Sequence, residues 1–172
     1  REAAGDVEAA TALYEQVLSD RQRVLGPDHP ETLDALSDLA GAREAAGDVE
    51  AATALYEQVL SDRQRVLGPD HPETLAASTA LAEAYTATSR MNLAIPLFEA
   101  TLANSARVLG ADDPATLIAQ VSLARAYKAV DQIDRAVELF ETSLMNLERV
   151  FGADHPVTDA VRRDLAGSRT QQ

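Results

Sequence analysis

The chain has 172 residues, of which 28 are acidic and 15 basic, so its formal net charge is −13. An acidic excess of this size argues against a surface built to neutralise nucleic-acid phosphates, which needs clustered Lys and Arg. There is no cysteine, and no apolar run approaches the roughly 20 residues that cross a bilayer. We therefore predict a folded, cytoplasmic protein without nucleic-acid or membrane partners, disulfides or thiolate metal sites.

The dominant feature of the sequence is a repeat with a period of 42 residues. Residues 1–33 recur without change as residues 43–75, and looser copies continue at the same offset. The apolar residues that recur in register are Ala10, Ala52, Ala94 and Ala136, then Tyr14, Tyr56, Phe98 and Phe140, then Leu18, Leu60, Leu102 and Leu144. A fixed period of this length is typical of solenoids, in which each unit buries its apolar face against its neighbours.

In chain order, the sequence predicts a partial repeat at residues 1–29, three full repeats at residues 30–71, 72–113 and 114–155, and a terminal helix at residues 156–172. Each full repeat contains two amphipathic patterns with three- and four-residue steps, which we term helix A and helix B. In the partial repeat we expect the end of a helix A, a turn at Gly5 and a helix B. All of these elements are predicted to form one domain over residues 1–172.

The two ends of the chain differ in polarity. The terminal helix places Val157, Val161 and Leu165 on one narrow stripe and charged residues on the rest of its surface, so we expect it to act as a polar cap. The N-terminal end has no such cap and is expected to expose apolar surface. Self-association through the ends of the repeat array is therefore an alternative that the sequence leaves open.

The segment between helix B and the next helix A is highly regular, as in VLGPDHPETL from Val24. Its glycine follows the last periodic residue of helix B, where a left-handed residue ends a helix without steric cost. Its proline takes the first position of helix A, where a missing N–H removes no hydrogen bond. The preceding His or Asp is expected to cap helix A. The glycines are Gly26, Gly68, Gly110 and Gly152, and the prolines are Pro30, Pro72, Pro114 and Pro156.

Histidines that recur with the repeat raise the question of a metal site, but the repeat spacing argues against one. Equivalent residues of packed helices lie at least about 8–10 Å apart, whereas each histidine ligand must approach a metal to about 2.0–2.1 Å. The sequence also lacks a glycine-rich phosphate loop, a His-Glu-x-x-His motif and a nucleophile-elbow serine. We expect no catalytic, cofactor or metal site.

These features resemble the tetratricopeptide repeat, in the long form found in kinesin light chains. The family places a small residue and a tyrosine three apart on helix A, as at Ala82 and Tyr85, and an alanine and an aromatic residue four apart on helix B, as in all four copies above. The linker LG(P/A)D(H/D)P is similar to that of the kinesin light chain group. Arg1 and Arg43 depart from the pattern at the tyrosine position, where such a residue must pack through its aliphatic stem or be exposed.

The resemblance implies an all-α fold, a right-handed α-solenoid of antiparallel helix pairs whose concave groove binds a protein or peptide. Carried over from the family, the helix A residues expected to line this groove are Asp34, Asp38, Glu44, Thr79, Glu83, Ile118, Val121, Arg125, Lys128 and Arg163. The groove would be acidic at its N-terminal end. It would be basic at its C-terminal end, with an exposed apolar pair at Ile118 and Val121. A partner segment of opposite polarity is favoured.

We therefore predict a protein-interaction or scaffold module within a larger bacterial regulatory protein, which binds a peptide or partner helix. Two alternatives stay open: a module that self-assembles through its repeat ends, and the sensor arm of a nucleotide-dependent signalling protein. Mass in solution as a function of concentration distinguishes the first alternative from a monomeric binder. A phosphate-binding motif in flanking sequence would identify the second.

Overall fold

The computed structural model describes residues 2–171, with side chains from Ala9 onward, and these residues form eight α-helices and no strand. The helices are α1 (Glu2–Leu25), α2 (Pro30–Ala45), α3 (Val49–Leu67), α4 (Pro72–Ala87), α5 (Met91–Val108), α6 (Pro114–Ala129), α7 (Ile133–Phe151) and α8 (Pro156–Arg169). Helices α2, α4, α6 and α8 are the A helices of the sequence pattern. The prediction of an all-α repeat fold is confirmed. Arg1 and Gln172, at the outer ends of the predicted elements, lie outside the described residues.

Helix packing divides the chain into two compact units, α1–α4 and α5–α8, with the division between Ser89 and Arg90. In the first unit each helix packs against the next, so that α3 contacts both α2 and α4. The second unit follows the same order, and α6 also contacts α8. The grouping of all repeats into one domain over residues 1–172 stays a prediction.

The linker glycines and prolines define where the helices end and begin. The φ values of Gly26, Gly68, Gly110 and Gly152 are 91°, 90°, 97° and 91°, in the left-handed region that glycine adopts without a Cβ clash. The A helices begin at the four linker prolines. The Nδ1 atom of His29 accepts a hydrogen bond from the amide of Glu31 at 3.2 Å, and the two other histidines cap α4 and α8 in the same way. The histidines are thus engaged within their own turns.

The turn predicted at Gly5 is wrong, because α1 runs without interruption from Glu2 to Leu25. The identical sequence at Gly47 does turn: Gly47 has a φ of 83°, and α3 begins at Val49. At Gly47 the turn joins α2 and α3, which pack against each other. No such pair of helices flanks Gly5 within the described residues, where α1 contacts α2. The backbone there instead keeps the local hydrogen bonds of a continuous helix.

The recurrent alanine and aromatic positions of the sequence form the core from the second copy onward. The fully or almost fully buried members are Ala52, Ala94, Ala136, Phe98 and Phe140. The first copy differs, because Tyr14 is 39% exposed whereas its equivalent Tyr56 is 8% exposed. Among the described residues, α1 has its main contacts with α2. Its side chains Leu13, Tyr14 and Val17 are exposed.

Helix α8 has a polar outer surface. Val161 and Leu165 are buried, whereas Asp159 and Arg162 are exposed. Asp159 stands at the repeat position where α2, α4 and α6 each carry a buried leucine. Arg162 pairs with Asp159 at 2.5 Å and with Glu148 at 2.9 Å. A further helix packed on this surface would have to bury these charges, which is costly. That α8 acts as a cap stays a prediction.

Candidate functional site

The predicted binding residues of the first unit lie on α2 and α4. Asp34 accepts a hydrogen bond from Nη2 of buried Arg63 at 2.6 Å, so its charge is engaged in joining α2 to α3. Asp38 is exposed, and its carboxylate has no ion-pair partner among the described side chains, those of residues 9–171. The hydroxyl of Thr79 donates to the carbonyl of Leu75 at 3.2 Å. Among these three predicted residues, Asp38 offers the most accessible charge to a ligand.

Two carboxylates flank a buried tyrosine of α3. The hydroxyl of Tyr56 donates a hydrogen bond to Oε2 of Glu44 at 3.2 Å. Burial raises the pKa of Tyr56 to about 12, and the negative charges of Glu44 and Glu83 add to the rise. The phenol is therefore a neutral hydrogen-bond donor at physiological pH. Glu44 and Glu83 give the A helices of the first unit a negative surface.

The predicted binding residues of the second unit lie on α6 and α8. Ile118 is exposed, but Val121 is only 7% exposed, so the expected exposed pair of apolar side chains is wrong. Neighbouring side chains cover Val121, which belongs to the core. Arg125 donates from Nε to Asp164 of α8 at 2.8 Å. Its charge is therefore matched within the unit.

Two cations of the second unit, Lys128 and Arg163, have no carboxylate partner among the side chains that the structure describes, from Ala9 to Gln171. The Nζ atom of Lys128 lies over α8, where a Cβ atom added to Gly167 would be 3.4 Å away. Arg163 is exposed, and its Nε donates to the carbonyl oxygen of Asp159 at 3.4 Å. With Ile118 on α6, these side chains offer positive charge and apolar surface to a ligand.

One repeated contact was not predicted from the sequence. The residue at the tyrosine position of each A helix binds a glutamate that lies 28 residues earlier, on the preceding B helix. Where arginine replaces tyrosine, its guanidinium makes the same contact, so Arg43 is half-buried and ion-paired. Arg1 lies outside the described residues. The four pairs are Arg43–Glu15, Tyr85–Glu57, Tyr127–Glu99 and Arg169–Glu141. The recurrence of glutamate in register with the repeat is the signal that would have predicted them.

The third of these pairs belongs to a small charge cluster in the second unit. The guanidinium carbon of Arg135 lies 3.9 Å from the ring centre of Tyr127, and Arg135 pairs with Glu99 at 3.0 Å. Burial, and then the hydrogen bond to Glu99, raise the pKa of Tyr127 to about 12. The same hydrogen bond lowers the pKa of Glu99. The three groups satisfy one another, which gives the cluster a structural role.

Arginine–aspartate pairs attach the linkers to the ends of B helices. Both Nη atoms of Arg65 donate to the carboxylate of Asp28, at 2.8 and 2.5 Å, and Arg149 holds Asp112 in the same way. The hydrogen bonds from arginine lower the pKa of both aspartates. Exposed pairs of this kind contribute little stability each. Their two-pronged geometry fixes the orientation of the linker.

Among the described side chains, residues 9–171, no group of three is placed to hold a metal ion, and no described helix is long and apolar enough to span a membrane. Acidic groups predominate on the A helices α2 and α4, whereas cations without a carboxylate partner among these side chains stand on α6 and α8. The fold is that of a helical repeat scaffold.

A family model for the tetratricopeptide repeat matches residues 1–64, 40–104 and 75–146, and the chain belongs to this family. Among solved structures, this chain is similar to a kinesin-light-chain-type protein of Podosopora anserina with nearly identical TPR-like repeats. The two sequences are 35% identical, and the structures superpose with a TM-score of 0.81 over 96% of this chain and 79% of that chain. A variant of that protein is also 35% identical, with a TM-score of 0.83, over 96% of this chain and 78% of that chain. No match was found among curated proteins.

Another solved structure, BtubC (BKLC) from P. vanneervenii, is 22% identical, with a TM-score of 0.81, over 96% of this chain and 66% of that chain, and shows the fold alone. The resemblance to kinesin-light-chain-like tetratricopeptide repeats is confirmed. Such repeats generally mediate protein–protein interaction or scaffolding, and the fold is typically a non-catalytic binding module.

Proposed function

We propose that this chain is a protein-interaction module that binds a peptide or partner helix along the exposed side chains of its A helices. The observation that carries the proposal is the pair of cations, Lys128 and Arg163, that lack carboxylate partners among the described side chains, residues 9–171, and stand on α6 and α8, where Ile118 of α6 is also exposed. Unmatched charge and exposed apolar surface within one unit are suited to a partner that supplies the opposite charge and an apolar side chain. The partner segment therefore presents a carboxylate and an apolar side chain to the second unit.

The first unit is suited to a partner segment of the opposite sign. Its A helices carry the exposed carboxylate of Asp38 and the charges of Glu44 and Glu83. A partner with basic residues would be attracted there. Asp34 and Arg125 already have partners within their own units. The residues that we propose for the first unit are Asp38, Glu44, Thr79 and Glu83, and those for the second unit are Ile118, Lys128 and Arg163.

The cellular setting completes the proposal. We infer that the module belongs to a larger regulatory or scaffold protein of a bacterial cytoplasm. The support is compositional, because Lys128 is the only lysine among 15 basic residues in an alanine-rich chain, as is typical of GC-rich bacterial genomes. An expression experiment with the tagged gene product and fractionation of the host cell would test the location.

The binding proposal is tested with a labelled synthetic peptide that has lysines at one end and glutamates and a free carboxyl terminus at the other. A control peptide has the same composition with alternating charges. Reversal of both cations, Lys128→Glu with Arg163→Glu, should weaken binding about tenfold or more, because each charged hydrogen bond is lost. Arg23→Glu, at an exposed arginine of the first unit, is the matched control. Equal affinity for both peptides, or no effect of the double reversal, would refute the proposal.

A further inference from the structure

Histidine side chains cap both A helices of the first unit. The backbone amide of Glu31, in the first turn of α2, donates a hydrogen bond to Nδ1 of His29 at 3.2 Å. The amide of Glu73 in α4 donates to Nδ1 of His71 at 3.3 Å. The first amides of an α-helix have no acceptor within the helix, so each imidazole satisfies one of them. The cap therefore requires an imidazole whose Nδ1 atom carries no proton.

The second unit contains a cap of another chemical kind at the same position. Oδ1 of Asp113, at the start of α6, accepts from the amide of Ala115 at 2.8 Å. A carboxylate keeps its acceptor atoms in mildly acidic solution, whereas imidazole changes its charge between pH 5 and 8. His155 caps α8, but its ring also stacks on Phe151 with ring centres 5.0 Å apart. The comparison that follows is therefore between α2 and α4, with histidine caps, and α6.

Positive charge surrounds both histidine caps. The N-terminus of an α-helix is the positive end of the helix dipole. Nη1 of Arg21 donates to the carbonyl oxygen of Glu31 at 2.6 Å. In the same way, Nη1 of Arg63 in α3 donates to the carbonyl oxygen of Glu73 at 3.2 Å. The position equivalent to Arg63 is Ser105 in the helix before α6. A protonated imidazole in α2 or α4 would thus add positive charge to a turn that already holds an arginine, which is unfavourable.

The carboxylates around these two caps already have cationic partners. The ion pairs are Asp28–Arg65, Glu31–Arg21 and Glu73–Arg63, with nitrogen–oxygen distances of 2.5, 3.9 and 3.9 Å. Asp70, the residue before His71, also has an interaction of its own. A protonated histidine would have to share each of these carboxylates with the group that now binds it. The surroundings therefore favour the neutral imidazole that the cap needs.

We propose that His29 and His71 form a pH-sensitive switch, in which the starts of α2 and α4 loosen when the two imidazoles take up protons below about pH 6. Helix α3 packs against both α2 and α4, so the two caps act on one packed group of helices. The first turns also carry Leu33 and Leu75, which are buried. Loosening of these turns weakens the core of the first unit. The inference goes beyond the binding proposal and does not depend on it.

The test is hydrogen exchange of single amides in the full chain, measured by NMR between about pH 7.5 and 5.5. Rates are divided by those of the same amides in unstructured peptides at each pH, so that the intrinsic pH dependence cancels. Protection of the Glu31 and Glu73 amides should fall about fivefold, the size expected for loss of a helix cap. The Ala115 amide, bonded to Asp113, should keep its protection.

The double variant His29→Asn with His71→Asn identifies the groups responsible. Asparagine is a good helix cap whose acceptor does not titrate, so protection of the Glu31 and Glu73 amides should no longer depend on pH in this range. His155→Asn is the matched control, because it changes a histidine cap of the second unit only. The fall in protection at Glu31 and Glu73 should persist in that control.

Three results would overturn the proposal. Unchanged protection of Glu31 and Glu73 at the lower pH would mean that the caps do not open. An equal fall at Ala115 would mean that acid loosens every A helix, whatever its cap. The same fall in the double variant and the unsubstituted chain would mean that other groups titrate. The pH dependence of the urea unfolding midpoint, which should be smaller in the double variant, gives an independent measurement.

Discussion

The identical sequences of α1 and α3 allow a matched test of how burial determines stability. Val59→Ala and Val17→Ala make the same change in the same local sequence, so the gain in helix propensity is equal and cancels. Removal of two methyl groups from a fully buried site costs about 1.6 kcal/mol by transfer alone. A cavity adds a further contribution of about 1 kcal/mol where the packing cannot relax.

The substitution at the exposed site, Val17→Ala, lowers the free energy of unfolding much less than Val59→Ala. Val17 is 42% exposed, so about 58% of the transfer free energy, roughly 0.9 kcal/mol, applies, and no closed cavity forms. We expect Val59→Ala to be less stable than Val17→Ala by about 1–2 kcal/mol in the free energy of unfolding. For a chain of this size, its thermal midpoint should be about 2–8 °C lower.

The assay is thermal and urea unfolding of both variants, followed by far-UV circular dichroism at several protein concentrations. Equal midpoints for the two variants would refute the reasoning, because they would mean that Val17 is covered as completely as Val59 in solution. If that equality held only at high concentration, the covering surface would be a second copy.

Three further predictions concern the turns and the titrating groups. Gly47→Ala should destabilise the protein by about 1 kcal/mol, because Gly47 has a φ of 83°, whereas Gly5→Ala in continuous α1 should be neutral or stabilising. Destabilisation by both substitutions in urea unfolding would mean that the chain also turns at Gly5. Because the folded pKa of Asp28 is lowered, its stabilising contribution is present above the unfolded pKa and is lost as pH falls through the folded pKa. Arg65→Gln should therefore reduce the fall of the urea unfolding midpoint between these two pKa values. The same fall in the variant and the unsubstituted protein would contradict the prediction. Because the folded pKa of Tyr56 is raised to about 12, its contribution is complete below the unfolded pKa and is lost as pH rises through about 12. The pKa of Tyr127 is raised to about 12 as well, so absorbance titration should show two phenols that ionise there, and Tyr56→Phe should remove one of the two; an unchanged titration would contradict the assignment.

Much of the fold could be predicted because its signals are local. Proline at the first position of helix A and glycine after helix B act through their own backbone geometry, so the helix boundaries at Gly68 and Pro72 agree with the sequence pattern. The contacts between tyrosine or arginine and glutamate, 28 residues apart, could also have been predicted, because both partners recur with the period.

The binding surface was harder to predict, because a side chain's availability depends on what lies across from it. Val121 lies one helical turn from exposed Ile118, yet neighbouring side chains bury it. Asp34 and Arg125 have the charges that the pattern suggested, but Arg63 and Asp164 on other helices neutralise them. A single helix pattern contains no information about such partners.

The sequence by itself determined the period, the helices and their order, because each unit repeats the same local signals for helix formation and termination. Only the tertiary structure decided which residues of each copy are buried and whether a turn forms. Gly5 continues a helix where Gly47 turns, and Tyr14 is exposed where Tyr56 is buried, although the residues around each pair are identical. The difference arises because a solenoid unit takes its stability from its neighbours: among the described residues α3 packs against both α2 and α4, whereas α1 packs against α2.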